Sequence, residues 1–190
     1  MMWDAVSWSF ADQVANLFKL SEPSAGMLTA DMPPEKFFAM LRQKGAMDDA
    51  LSFLALALPR RAAIAWGRDC LAHTARQARL GRDDMHAATA VAAWLDDPND
   101  DRRWTARGAA DNIETPSAEG MLAMAVFVSG GSISQPGSPV PVPAPPELTG
   151  RLVAGAVQIA AVRVPPQLIA DTKGAFLDRG AEYATGAAQP

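Results

Sequence analysis

A chain of 190 residues with 49% hydrophobic and 20% charged residues can bury one sizeable core, and this composition excludes global disorder. A net charge of −4 removes the electrostatic motive for nucleic acid or an anionic membrane as the main partner. One cysteine, Cys70, excludes an internal disulfide and fits a reducing compartment. Met1-Met2-Trp3-Asp4 carries an acid where a secretory signal needs bases, so the expected location is cytoplasmic. The nearest approach to a spanning helix, residues 152–164, is interrupted by Gln158 and Arg163.

Helical spacing dominates the chain. Val6, Phe10, Val14, Leu17 and Phe18 form a stripe at spacings of four, four, three and one, which predicts a first helix. Residues 21–26 break it. Pro33-Pro34-Glu35 predicts a helix start that carries Phe37, Phe38 and Leu41 and stops at Gly45. The next helix covers 46–58 and meets Pro59, which ends or kinks it, and 60–79 follow as another. Asp83 or Asp84 can cap a helix that runs through Trp94 and Leu95. Asp97-Pro98 and Thr115-Pro116 each read as a cap followed by a first-turn proline. The helix opened by the second ends at Ser129-Gly130-Gly131.

Residues 129–146 differ in kind, with six prolines among eighteen residues, and should be extended. Either they form a solvated connector, or Val140 and Val142 dock in a groove, or the strip is itself a ligand. Helices over 147–163 and 166–183 should dock back on the body formed by 1–128, leaving 185–190 as a disordered tail. With no hairpin dipeptides and no sustained alternation, the fold class is all-α: one domain of eight or nine short helices packed as antiparallel hairpins, with a Pro-rich crossover.

Candidate chemistry is sparse. His73 and His86 with a lone cysteine cannot supply three or four zinc ligands at short spacing, so no metal and no cofactor is expected. In the run 96–101, a calcium loop begun at Asp97 would place Arg102 at the turn position and Gly108 at the final ligand, which fails. Ser52 and Ser129 lack a nucleophile setting, so no catalytic residue is assigned. An enzyme reading would need a pocket around Asp69, His73 and His86.

Arginine and tryptophan remain. Residues 60–107 carry nine arginines against seven acids, between flanks that are each net negative. Arg60 and Arg61 share a helix with Trp66, and Arg102 and Arg103 share one with Trp104. Both residue types bring large area and directional donors to interfaces, so these six are the candidate partner-binding set. Against this, tryptophans fill cores that are short of other aromatics, and arginines populate solvated faces.

The segment from Asp49 through Leu56, Pro59, Arg60, Arg61 and Trp66 resembles a bacterial family of unknown function, DUF6931. In that family a phrase like FLAHALPRREAVWWA follows a helix opened by Pro-x-[Glu/Lys]-Phe, matched here by Pro34-Glu35-Lys36-Phe37. Ala93-Trp94 and Asp97-Pro98 through Arg102 extend the similarity over 30–180. Leu56 stands where the family has His, and Ala65 where it has the first Trp, which removes the one polar pair suggestive of a site. Members are encoded near components of contractile type VI secretion systems, often beside spike-tip or effector-associated proteins. The resemblance therefore implies a cytoplasmic, non-enzymatic adaptor, with a role in effector loading or assembly. It predicts an exposed, partly apolar patch rimmed by arginine near 60–66 and 102–107. A homo-oligomeric module, associating through the Pro-rich strip or the helix over 152–162, is the alternative.

Overall fold

The computed structural model describes residues 2–190, and among these it contains ten α-helices and no β-strand. The expected N-terminal helix is cut to one turn, α1 (Ala11–Ala15), and the expected break holds another, α2 (Glu22–Ala25). Tertiary bonds explain the loss. Ala5 N–H donates to Ala184 O and Ala11 N–H to Met32 O, so these amides leave the local helical ladder. Trp3 is buried on Phe38, with ring centroids 5.0 Å apart.

α3 (Pro34–Gln43) opens on Pro33-Pro34 as expected and ends before Gly45, whose φ of +72° is readily supplied only by glycine. α4 (Met47–Ala57) stops at Leu58. Pro59, at ψ 142°, turns the chain directly into α5 (Arg60–His73). α5 ends six residues short of the expected 79. The buried Thr74 hydroxyl donates to Leu71 O there and competes with the helical ladder.

α6 (Arg82–Asp96) begins before the expected caps: its N-cap is Gly81, and Asp84, inside the first turn, reaches back to accept from Gly81 N–H at 3.1 Å. α7 (Asp100–Asp111) is capped by Asn99 and α8 (Ala118–Phe127) by Ser117, each two residues after the expected cap. In both cases the proline precedes the cap rather than filling the first turn, and a short polar side chain accepts an amide there: Arg102 N at 2.9 Å, Gly120 N at 3.1 Å. α9 (Leu148–Ala161), a 3-10 turn (Pro166–Leu168) and α10 (Ile169–Ala184) complete the chain. The expected disordered tail folds back as far as Ala188, whose N–H donates to Glu182 O.

The core lies around α8 and α9. Apart from Glu119 in its first turn, α8 is apolar on every side and buries Leu122, Ala123, Ala125, Val126 and Phe127, as suits a helix surrounded by others. α9 packs on α4, α5 and α8. Its buried face of Ala154, Ala156, Val157, Ala160 and Ala161 is small enough to admit three close neighbours. α10 packs on α4 and α5, so the final helices contribute to the central core. The Pro-rich segment is a fastened loop. Ser132 bridges Pro143, Ile133 N–H donates to Val142 O at 2.8 Å, and Val142 N–H donates to Ser132 Oγ at 3.0 Å.

Candidate Arg/Trp interaction surface

Arginine at a helix N-terminus opposes that helix's own dipole, yet α5 begins with Arg60-Arg61 and α7 carries Arg102 and Arg103 in its first turn. The antiparallel arrangement resolves this. Each guanidinium reaches the C-terminal carbonyls of a neighbouring helix, where positive charge is favoured. Arg61 Nη2 donates to Leu95 O at 2.8 Å, and Arg102 Nη1 donates to Ala93 O, both at the end of α6. Arg103 Nη1 donates to Phe127 O at 2.6 Å, and Arg60 Nη1 to Ser129 O at 3.0 Å, both at the end of α8. The four expected arginines thus meet at one end of the molecule, through acceptors that lie 34, 9, 24 and 69 residues away.

Their accessibility differs. Arg60 and Arg61 are exposed and Arg102 is half-buried, also facing Asp97 at 3.3 Å. Arg103 is 3% exposed and acts as a latch. Besides Phe127 O, its Nη2 donates to Ser132 O at 2.8 Å and its Nε to Asp100 Oδ1 at 2.8 Å. Through Ser132 it holds the Pro-rich loop against α7 and α8. Gly131, at φ +60°, makes room: a Cβ there would fall 2.9 Å from Arg103 Nη2.

The tryptophans separate as well. Trp66 is 0% exposed and its Nε1–H donates to Phe176 O at 2.8 Å, so it has no surface to offer a partner. Trp94 is buried likewise. Trp104 is half-buried, set edge-on to Phe127 at 4.8 Å, with Arg103 and Arg107 over the neighbouring ring faces. Beside it lies a cavity of 150 Å³ bounded by Asp100, Arg103, Trp104, Gln135, Pro136 and Pro141. Val140 and Val142 project from the same loop, 64% and 45% exposed. The accessible part of the expected set is therefore Trp104 with Arg60, Arg61 and Arg102, joined by Arg107 and the Pro-Val strip.

Two polar clusters had no sequence signature, because each joins helices far apart in the chain. Glu119, 2% exposed in the first turn of α8, takes both arms of Arg163, with Nη1 to Oε1 at 2.8 Å. Asp69 accepts from Arg68, from Arg179 Nε at 2.8 Å and from Tyr183 OH at 2.9 Å. Burial pushes the Asp69 carboxyl up, but these donors outweigh it and hold it below the usual carboxylate range. Burial, with Asp69 adjacent, pushes the Cys70 thiol well above its ordinary value, which keeps it an unreactive core residue. The cavity beside α5 is lined by Arg68, Leu71, Leu80, Val91, Glu119 and Leu122 among others, and by none of Asp69, His73 or His86. Among the described residues no cluster of three His, Cys, Asp or Glu side chains could hold a metal, and no helix is long and apolar enough to cross a membrane.

No curated protein and no solved structure matches the chain. A family model described as a family of unknown function matches residues 37–184, which takes in α4 through α10 and both groups of arginines. Matched over most of its length, from the Pro59-Arg60-Arg61 turn to the helix that receives the Trp66 indole, this chain belongs to the family of unknown function DUF6931.

Proposed function

We propose that this chain is a non-enzymatic protein-binding adaptor whose docking surface is Trp104 and the Pro-Val strip, rimmed by Arg60, Arg61, Arg102 and Arg107. The observation that carries the reading is the setting of Trp104. A large aromatic stands half-exposed beside a loop that Arg103 and Ser132 hold in one shape, and the exposed valines of that loop extend the apolar area. A preformed surface of this kind loses little conformational entropy on binding, and Trp and Arg are the residues that dominate interface energetics. The arginine guanidiniums already satisfied by helix carbonyls are pre-oriented and keep their charge for an acidic rim on the partner.

Resemblance to proteins encoded near contractile type VI secretion components supports a finer reading: a cytoplasmic accessory in a bacterium, engaged in effector loading or assembly. Affinity purification of the tagged protein from its native host, with co-purifying proteins identified by mass spectrometry, tests it. A stoichiometric secretion component or effector is expected, lost on Trp104→Ala combined with Arg107→Glu and Val140→Asp. Arg103 is left intact in that variant because its removal would release the loop. Recovery of the protein alone, or a partner retained by the triple variant, overturns the proposal.

A further inference from the structure

Ten of the thirteen arginines donate a hydrogen bond within the chain: Arg42, Arg60, Arg61, Arg68, Arg102, Arg103, Arg107, Arg151, Arg163 and Arg179. The other three are Arg76, Arg79 and Arg82, whose guanidiniums make no hydrogen bond or ion pair among the described residues. All three are exposed: Arg76 and Arg79 lie on the connection from α5 to α6, and Arg82 opens α6. This places them at the opposite end of α5 from Arg60, about 20 Å away for a helix of that length.

Beside that connection lies the cavity between α5, α6 and α8, with a volume of 140 Å³. Leu71, Leu80, Val91 and Leu122 supply its apolar wall, and Ala72, Ala75 and Ala88 leave it open because alanine cannot fill the space between the helices. Arg68 stands among the lining residues, and Ala75 and Leu80 are chain neighbours of Arg76 and Arg79. The nearby acids are mostly engaged. Asp69 is held by Arg68, Arg179 and Tyr183 and Glu119 by Arg163, while Asp84 accepts from Gly81 N–H through Oδ2 and its buried Oδ1 has no partner. Asp83 is the exposed exception.

We infer that this end of the α5–α6 pair is a second docking site, for an acidic peptide segment of a partner protein that seats one apolar side chain in the cavity. The volume sets the anchor: a protein cavity of about 150 Å³ holds a benzene-sized group, which matches one Leu, Met or Phe side chain. The charge sets the flanks. Three unpaired guanidiniums along the connection and the start of α6 exceed what the single carboxylate of a small amphiphile would answer, and they match a run of Asp or Glu around the anchor. The site is separate from the Trp104 surface and does not depend on it.

The test is a titration of isotope-labelled full-length protein, followed by amide and methyl NMR shifts, with the capped peptide Glu-Glu-Asp-Leu-Glu-Asp-Glu as probe. Saturable shifts are expected at Leu80, Ala88, Val91 and Leu122, with a Kd at or below about 1 mM. Replacing the probe's Leu by Ser should remove the methyl shifts. Arg76→Glu with Arg79→Glu should weaken binding about tenfold. Ala88→Trp, at an exposed position on α6, should plug the cavity and abolish the methyl shifts while circular dichroism and Tm stay unchanged; Ala72→Phe is the second plug if the first does not fold. Equal binding of the Leu and Ser peptides, no saturation, or binding unaffected by either plug overturns the inference. So does hexanoate binding as tightly as the peptide, which would assign the cavity to a small carboxylate.

Discussion

At the scale of single residues, chemistry that looks alike in sequence is split by burial. Trp66 and Trp104 each follow a pair of arginines, yet one indole is locked in the core and the other edges a surface. Trp66→Phe removes the donor to Phe176 O and is expected to cost about 1–3 kcal/mol in urea unfolding. Trp104→Ala should cost less and instead reduce partner capture. Glu119→Gln leaves Arg163 without its charge partner in a largely buried setting, and a loss of about 3–5 kcal/mol is expected by the same measurement. Asp69 makes stability depend on pH at the acid end. Its folded carboxyl titrates below its unfolded value of about 3.9, so its contribution is complete above that pH and lost as pH falls through the lower folded value. Tyr183 acts at the other end. Burial and the bond to Asp69 raise its phenol, so that contribution is present below the ordinary tyrosine range and lost as pH rises through the folded value. Asp69→Asn should flatten the acid limb of a stability–pH curve, and an unchanged limb would remove Asp69 from this account. None of these partners was readable along the chain, since Asp69 meets Tyr183 across 114 residues and Glu119 meets Arg163 across 44.

At the scale of elements, the helices from α3 onward were readable because local rules agree there: apolar spacing, proline at starts, glycine at stops. Where they failed, long-range bonds had taken the backbone groups, as at Ala5 and Ala11, or a better capping side chain lay two residues on, as at Asn99 and Ser117. The Pro-rich loop is the clearest case of an element made by one distant side chain. Arg103→Met removes the donors to Phe127 O and Ser132 O and should cost about 2–4 kcal/mol. Amide exchange at Ile133 and Val142 should accelerate with it. Arg103→Lys should not rescue the loop, because one ammonium cannot reproduce three directed bonds to separate acceptors. Loop amides that stay protected in Arg103→Met would show that the serine bonds suffice.

At the scale of the whole molecule, two accessible arginine groups stand at opposite ends of α5, and the body between them is a packed core. The proposed adaptor, with separate docking ends, is expected to be monomeric alone, giving a light-scattering mass near 20.1 kDa; a dimer would favour self-association through the exposed strip. The sequence by itself determined the all-α class, the position of most helices, the Pro59 break and the clustering of arginine, because these follow from spacing and backbone chemistry within a few residues. Tertiary structure alone decided which arginines are occupied by neighbouring helix ends, which tryptophan is accessible and where cavities open. Those outcomes depend on which helix lies beside which, and contacts spanning tens of residues leave no periodicity in the chain that makes them.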